Sequence, residues 1–313
     1  MDESKPNWER EAIIELANAG LKEQRRARRW GIFFKLFFVV YLIAFFIALV
    51  GSKSSDTLMP TKRHTALVSM VGVIADGEHA SANNIVSGLR SAFENEHSAA
   101  VILSINSPGG SPVQSAYINS EITRLREMYP EKPLYAVVSD ICASGGLYVA
   151  VAADKIFANE SSIVGSIGVR MDGFGFEEAI EKLGVERRLL TAGEHKALLD
   201  PFSPENPVEK KHVQTMLNDI HQDFINVVKK GRGDRLSDDP TLFTGLFWTG
   251  RKAMELGLVD GMGSAGYVAR EVVGAEDIVD YSYQEDIFQR LAGRIGSSIG
   301  SQLRLMFEGV QLR

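Results

Sequence analysis

Three short segments of the chain carry side chains that could do nucleophilic chemistry. The first is ASGG at residues 143–146, which lies between a predicted strand and a predicted helix. Its Ser144 would stand at a helix N-terminus, where partial positive charge favours a developing alkoxide, and the two glycines leave room for a substrate carbonyl. A plain N-cap serine would give the same pattern. The spacing is not G-x-S-x-G, so the nucleophile elbow of the α/β-hydrolases is not indicated.

The second segment is SPGGSP at residues 107–112, directly after one predicted strand and directly before a helix. Its two glycines permit backbone conformations that other residues resist, while Ser111 can cap the helix and Pro112 suits the first turn. Backbone N–H groups at such a junction can hold an anion, including a tetrahedral oxyanion. An ordinary strand-to-helix turn uses the same residues, so this segment alone decides nothing.

The third segment, GEHK at residues 193–196, offers a base for a serine. A serine nucleophile needs an adjacent base, and both His195 and Lys196 are available. Histidine suits the task with an ordinary pKa of about 6.5, whereas a lysine acts only if burial lowers its pKa from about 10.4 toward neutrality. The residues alone leave the base undecided. The other histidines show neither H-E-x-x-H nor paired-cysteine spacing, so no metal is predicted.

Composition narrows the classes of protein to which the chain could belong. The 313 residues are 45% apolar and 24% charged, which is ordinary for a folded protein. The net charge of -6 provides no basic field for a phosphate backbone, so nucleic-acid binding is not expected. The single cysteine, Cys142, cannot form an internal disulfide and is predicted to be a small buried residue.

The elements that must position these segments alternate from His64 onward, as is typical of α/β architecture. Strands are predicted at TALVSMVGVI, AAVILSIN, LYAVVSD, KIFANE and VERRLLTAG, and helices at NNIVSGLRSAF, SPVQSAYINSEITRLREMY, SGGLYVAVAA and FEEAIEKLG. A long helix is predicted from Val208 to Lys230. It carries six apolar side chains at core spacing: Val213, Met216, Leu217, Ile220, Phe224 and Val227.

Residues 31–51, GIFFKLFFVVYLIAFFIALVG, depart from globular composition. The uninterrupted apolar run from Leu36 to Val50 is short of the roughly 20 residues that a spanning helix needs. Residues 31–34, with Lys35 snorkelling toward the headgroups, restore the length. Basic residues crowd the preceding side: Lys22, Arg25, Arg26, Arg28 and Arg29. The positive-inside rule therefore predicts a transmembrane anchor at residues 31–51, with residues 1–30 in the cytoplasm.

A cleaved secretory signal competes with the anchor, because the apolar run is short and small residues follow it. The 30-residue polar leader is long for a signal, however, and no A-x-A site is present. Residues 52–63 are predicted to be a linker, residues 64–275 the main domain and residues 276–313 a helical segment. Apolar residues at intervals of three or four between Ile287 and Leu312 indicate a packing or oligomer-contact helix, with membrane-surface contact as the alternative.

Taken together, these segments resemble the signal peptide peptidase A family of Ser-Lys serine peptidases, which shares the crotonase-like fold with the Clp protease. The resemblance runs from about residue 64 to about residue 270. It is carried by SPGG at 107–110, ASGGLY at 143–148, GSIGV at 165–169, GEHKALLDPF at 193–202 and FWTGRKAMELGLVD at 247–260. The implied fold is α/β, with repeated ββα units preceded by one N-terminal transmembrane helix.

The resemblance also implies roles for particular residues. Ser144 would be the nucleophile and Lys196 the base, with His195 a bystander, and Ser166 would orient the lysine ammonium group. The oxyanion donors would be backbone N–H groups, of Gly110 with Gly145 and also of Gly109. No cofactor is implied. Cys142 stands where small residues are usual in the family.

The implied substrates are signal peptides left after precursor cleavage and other unstructured or membrane-associated peptides. Short members of the family form assemblies in which serine and lysine come from neighbouring subunits, so a homo-oligomer is expected. Residues 31–51 would hold the protein in the bacterial inner membrane, with the peptidase domain on the extracytoplasmic side. Two alternatives stay open: a crotonase-type acyl-CoA enzyme and a catalytically silent membrane scaffold.

Overall fold

The structure is a computed structural model that describes residues 8–51 and 61–284. The chain divides into two compact units, Met1–Met59 and Pro60–Arg313. Most of the predicted linker at 52–63 and the predicted helix between Ile287 and Leu312 lie outside the described residues.

The described part of the first unit is one helix, α1 (Trp8–Gly51), which runs through both the polar leader and the apolar stretch. Large apolar side chains from Ile32 to Phe45 are exposed on it, and the rings of Phe33, Phe37, Tyr41 and Phe45 stack one turn apart. Within the described residues, no helix is both long enough and apolar enough to cross a membrane.

The second unit combines a largely parallel sheet with helices, which confirms the predicted α/β class. Its strands are β1 (His64–Val71), β2 (Ser98–Ser107), β3 (Leu134–Ala143), β4 (Lys155–Ala158), β5 (Ile163–Gly165), β6 (Phe247–Thr249), β7 (Gly261–Met262) and β8 (Ile278–Asp280). Its helices are α2 (Ala82–Glu94), α3 (Pro112–Met128), α4 (Gly145–Ala150), α5 (Glu177–Lys182), α6 (Pro207–Arg232), α7 (Gly250–Glu255) and α8 (Ala265–Tyr267).

The strand order is β6-β5-β3-β2-β1-β8, with β4 between β3 and β7. All of these pairs are parallel except β5 with β6. The long strand β3 has two neighbours on one side: residues 135–137 pair with β4, and residues 141–143 pair with β5. The carboxyl end of β3, directly before Ser144, therefore lies between β2 and β5.

The core lies between this sheet and the helices that follow its strands. Strand β2 reads as a near-continuous apolar run because both of its faces are covered, and Val101, Ile102 and Leu103 are all fully buried. Helices α2 and α3 bury one face each, which matches their predicted periodicity. Cys142 is fully buried in this core, as predicted, and burial raises the pKa of its thiol.

Two predictions about secondary structure and burial were wrong in part. VERRLLTAG forms no strand, and Leu190 within it is 97% exposed. Its residues pair with none of the eight described strands, whose order runs from β6 to β8. Helix α6 is present as predicted and buries Val213 and Phe224, with Val227 half-buried against the core. It also buries Val228, which was not predicted, and leaves Met216 exposed.

A buried ion pair joins the end of α6 to the segment before β7. The side chain of Arg232 is 1% exposed and donates to Asp260 through two nitrogens, each at 2.8 Å. Burial opposes ionisation of Asp260, but hydrogen bonds from Arg232 and the Ile156 amide, with the charges of Arg232 and Arg235, hold its pKa below the ordinary value. Because the pKa of this carboxyl is lowered, the ion pair stabilises the fold at any pH above the ordinary pKa of an aspartate. This contribution is lost as pH falls through the lowered pKa.

We expect Asp260→Ala to lower the free energy of unfolding by about 3–5 kcal/mol, because the buried Arg232 charge loses its partner. Chemical denaturation at neutral pH measures the change. Glu160→Ala serves as the control, since its pair with Arg251 is exposed, and should cost at most about 1 kcal/mol. Equal losses in both variants would contradict a dominant role for the buried pair.

Candidate active site

Ser144 stands at the N-terminus of α4 in an unusual backbone conformation. Its φ is 51° and its ψ is -122°, a region that costs a non-glycine residue about 1–3 kcal/mol and persists only where surrounding contacts enforce it. Those contacts come from both sides of the residue: the Ser144 amide donates to the Gly165 carbonyl at 2.9 Å, and its carbonyl accepts from the Tyr148 amide at 3.0 Å. The end of β3 and the end of β5 thereby fix the direction of this side chain.

The Ser144 hydroxyl is not consumed by capping. Its side chain makes no cap hydrogen bond to α4 and is half-buried, whereas Ser111, the N-cap of α3, accepts from the Gln114 amide at 3.4 Å. The sequence predicted the capping role of Ser111 correctly, together with Pro112 at the first turn. Ser144 therefore differs from a plain N-cap serine, because its oxygen is left available to react.

The loop after β2 lies against the Ser144 turn and leaves no space for larger residues. A Cβ added to Gly109, whose φ is +99°, would lie 2.7 Å from Ser144 Cβ and 2.7 Å from the Gly145 nitrogen. A Cβ on Gly110 would lie 2.2 Å from the Ile74 carbonyl oxygen. Both glycines of SPGG are thus required by close approach as well as by positive φ.

The amides of Gly110 in the loop and Gly145 in the turn lie close together. Ile74 forms a parallel bridge with Gly110, because its N–H donates to the Gly109 carbonyl and its carbonyl accepts from Ser111. In a parallel bridge the middle residue of the partner strand directs its own N–H to the opposite side, and the Gly110 nitrogen lies 3.3 Å from where a Gly145 Cβ would be. Gly110 and Gly145, the first residue of α4, are thus neighbours beside Ser144.

The Gly109 amide, which the resemblance included among the oxyanion donors, is already engaged. It donates to the Ser107 hydroxyl at 3.1 Å, and so points into the loop. A donor that is bonded within the protein is not free for a substrate oxygen. The described geometry therefore leaves Gly110 and Gly145 as the two candidate donors.

Ser166 lies next to the residue that holds the Ser144 amide. It has a φ of 58°, is half-buried, and its amide donates to the Leu246 carbonyl at 2.6 Å. One residue further, the Ile167 carbonyl accepts from His221 Nε2 at 3.1 Å, which ties this turn to α6. The structure thus brings Ser144, Ser166 and the glycines together.

Lys196 is not part of this cluster within one chain. It lies exposed on the turn that follows Gly193. Within the described residues its side chain forms no ion pair, and it does not hydrogen-bond to Ser144. The neighbouring His195 is bound elsewhere, with Nδ1 3.3 Å from Glu209 on α6.

The segment that carries Lys196 packs on α5 and the first half of α6. Asp200 pairs with Arg187 at 2.9 Å, and the ring of Phe176 lies 5.6 Å from that of Phe202. A cleft of about 680 Å³ opens between this segment and α6, and its lining includes Phe174, Leu199 and Pro201. Several apolar side chains of this region face outward, with Phe174 79% exposed.

Comparison with known proteins identifies the family. The model of peptidase family S49 matches residues 127–277, a range that contains Ser144, Ser166 and Lys196. A putative protease of Synechocystis is 30% identical over 259 residues, covering 80% of this chain and 89% of that protein. The chain belongs to peptidase family S49. This finding confirms the resemblance to signal peptide peptidase A.

Two further relatives cover less of their own length. A putative signal peptide peptidase SppA of Enterococcus faecium is 33% identical over 204 residues, which is 63% of this S49 chain and 59% of that protein. A Brucella abortus protein named as the Na(+)/H(+) antiporter NhaA is 47% identical over 186 residues, but the match covers 59% of this chain and 25% of that protein. The antiporter name therefore describes a protein of which three quarters lies outside the match.

Sequence reasoning missed two groups that shape the site. The Gly165 carbonyl anchors the Ser144 amide, and Ser107 engages the Gly109 amide. Gly165 belongs to the GSIGV motif and Ser107 to the SPGG motif, so both residues lie in motifs identified from the sequence. The Ser144–Gly165 bond depends on how β3 and β5 lie together, which local spacing does not reveal, whereas the Ser107–Gly109 bond joins residues two apart and is a turn pattern typical of serine.

We expect Gly109→Ala to lower peptide hydrolysis by at least about a hundredfold, since a new methyl group would push on Ser144 and Gly145 where the reaction needs fixed geometry. Initial rates on an unstructured peptide measure the loss. Gly266→Ala on α8 is the control, because the nearest neighbour of its Cβ would be 3.9 Å away, and it should retain the wild-type rate. An active Gly109→Ala enzyme would rule out the close packing of the loop on Ser144.

Proposed function

We propose that this S49 chain is a serine endopeptidase in which Ser144 attacks a peptide carbonyl and Lys196 accepts its proton. The observation that carries the proposal is the uncapped, half-buried Ser144 hydroxyl beside the neighbouring amides of Gly110 and Gly145. Such donors stabilise the negative charge that develops on the carbonyl oxygen of an acyl-transfer transition state. Membership in peptidase family S49 supports the same chemistry.

The reaction proceeds in two stages. A neutral lysine accepts the Ser144 proton as Oγ bonds to the carbonyl carbon, and the oxyanion receives hydrogen bonds from Gly110 and Gly145. Collapse of this intermediate breaks the peptide bond, and the departing amine takes the proton from the lysine. Water then hydrolyses the acyl-enzyme by the same route. Ser166, beside Gly165, is proposed to orient the lysine ammonium group.

We further propose that Lys196 acts on the Ser144 of a neighbouring copy of the chain. A lysine works as a base in its neutral form, which burial favours and water opposes, and Lys196 is exposed on one chain. The residues that precede its segment carry outward apolar side chains, among them Phe174 and Leu190, of the kind that a second protein surface covers. A neighbouring copy would bury them and bring the lysine to the serine cleft.

Mixing two inactive variants tests both the dyad and its division between copies. Ser144→Ala and Lys196→Ala should each abolish turnover, while their co-assembled 1:1 mixture should regain about a quarter of the wild-type rate, the share of contacts that unite an intact serine with an intact lysine in head-to-tail assemblies. Hydrolysis of an unstructured peptide is the measurement. His195→Ala is the matched control and should keep most of the activity.

The outcomes separate the two parts of the proposal. A mixture that stays inactive, with both single variants inactive, would place serine and lysine in the same copy. Activity of Lys196→Ala alone, with loss in His195→Ala, would reverse the choice of base. Because the base must be neutral, the wild-type rate should also fall as pH is lowered.

The proposed substrates are cleaved signal peptides and other unstructured or membrane-associated peptides. The name of the Enterococcus faecium relative, a putative signal peptide peptidase, supports this choice. We propose that residues 31–51 anchor the chain in a bacterial inner membrane, with residues 1–30 in the cytoplasm and the peptidase domain across the bilayer. The exposed apolar side chains of α1, from Ile32 to Phe45, motivate the anchor, because such a surface is costly in water.

Flotation with lipid vesicles tests the anchor. The full chain should float with vesicles and resist an alkaline wash, and a Val39→Asp, Val40→Asp variant should remain below, because each aspartate near the centre of a membrane helix costs about 2.5–3.5 kcal/mol. Ile14→Asp on the same helix, outside the apolar stretch, is the control and should float normally. A double variant that floats as well as the wild type would contradict the insertion of residues 31–51 into the lipid.

A further inference from the structure

Ser107, the last residue of β2, uses its hydroxyl to join two loops beside Ser144. The residue is fully buried. Its Oγ donates to the Gly72 carbonyl at 2.7 Å and accepts from the Gly109 amide at 3.1 Å. One side chain thus links the segment that leaves β1 to the loop that presents Gly110.

The backbone of Ser107 lies equally close to the turn that carries Ser144. Ser107 is the register partner of Cys142 on β3, and a Cβ added to Gly146 would lie 3.0 Å from the Ser107 carbonyl oxygen. The preceding residue, Asn106, accepts from the Gly72 amide at 2.9 Å. Ser107 is therefore the place where the β1 exit, the glycine loop and the first turn of α4 meet.

The Ser107 hydroxyl holds the Pro108–Gly109 peptide, and Ile74 holds the Gly109–Gly110 peptide that follows it. Gly109 has a φ of +99° and its carbonyl accepts from Ile74 at 2.9 Å, so its N–H and C=O are bonded on opposite sides of the loop. Glycine otherwise samples a wide range of conformations. With both peptides engaged, the Gly110 amide is directed away from Ile74, and its nitrogen lies 3.3 Å from where a Gly145 Cβ would be.

We propose that Ser107 is a positioning residue for the oxyanion site, acting through the Pro108–Gly109 peptide that precedes the Gly110 amide and without touching the substrate. This inference rests on the proposed serine peptidase function. Loss of the hydroxyl would leave the Gly109 amide and the Gly72 carbonyl unpaired in a buried place, and a flexible glycine loop relieves such a loss by rotating. Rotation would turn the Gly110 amide away from the transition-state oxygen.

The chain offers a matched control for this serine. Ser162 is also buried, and its Oγ likewise donates to one carbonyl, of Ser139 at 2.5 Å, and accepts from one amide, of Asn159 at 3.0 Å. It lies before β5 and touches neither the glycine loop nor the α4 turn. The two serines thus make the same kinds of bond, and only Ser107 bonds the glycine loop that presents Gly110.

Ser107→Ala and Ser162→Ala are compared by kcat, KM, thermal unfolding and inhibition by a peptide aldehyde, which forms a tetrahedral adduct with a serine nucleophile. Removing an oxyanion donor outright costs about 10²–10³ in kcat, so displacing one should lower kcat of Ser107→Ala about 10- to 100-fold. We expect KM to change less than about threefold, because the donor acts on the transition state. Aldehyde affinity should weaken in proportion to kcat. Ser162→Ala should lose similar thermal stability and keep its kcat.

A Ser107→Ala enzyme with wild-type kcat and aldehyde affinity would overturn the proposal, as would a loss confined to KM. Should Ser107→Ala fail to fold, Ser107→Cys replaces the hydroxyl with a larger thiol that is a weaker donor and acceptor, and this should displace the Gly109 amide. A fall in its kcat that aldehyde affinity follows supports the proposal, and an unchanged kcat overturns it. A wild-type chain that neither cleaves peptide nor is labelled at Ser144 by a phosphonate would overturn the peptidase function as well, so the two failures are distinguishable.

Discussion

The hydrogen bond from the Ser144 amide to the Gly165 carbonyl is the constraint on which the site depends. A serine with φ of 51° is strained, and the strain persists because this bond continues the β3–β5 ladder one residue beyond Ala143. The side chain is thereby turned out of the sheet at the point where the strand becomes a helix. Without that bond, the residue would relax into an ordinary N-cap and its hydroxyl would turn to the helix amides.

The sheet can form this bond because β3 changes its pairing partner along its length, from β4 to β5. Its first half pairs with β4, which continues to β7, and its last three residues pair with β5, which continues to β6. Two branches of the sheet thus diverge from one strand, and Ser144 follows the end of β3 beside the branch that carries Ser166. The other face of the same turn is closed by the glycine loop after β2. Three strand ends therefore hold a site that none of them could hold alone.

The sequence was informative where structure is local. The SPGG and ASGG segments lie at strand-to-helix junctions, and Ser111 with Pro112 begins α3, because these features depend on residues a few positions apart. The prediction failed at VERRLLTAG, where apolar residues suggested a strand but no sheet edge receives them. It also could not tell that the Ser107 hydroxyl bonds the Gly72 carbonyl, since that bond depends on the approach of β2 to the segment that leaves β1.

The position of Lys196 shows why a motif can name a residue and leave its partner unknown. Ser144 lies at the end of a sheet strand, and the neighbouring Gly109 and Gly145 are buried. The segment that carries Lys196 is instead exposed. Its Asp200 pairs with Arg187, its Phe202 contacts Phe176, and His195 lies beside Glu209 on α6. A lysine base would need an apolar setting and a hydroxyl to act upon, and within one chain Lys196 is exposed. The residues that precede its segment carry outward apolar side chains such as Phe174 and Leu190, so a surface that covered them together with Lys196 would exclude water from the lysine as well.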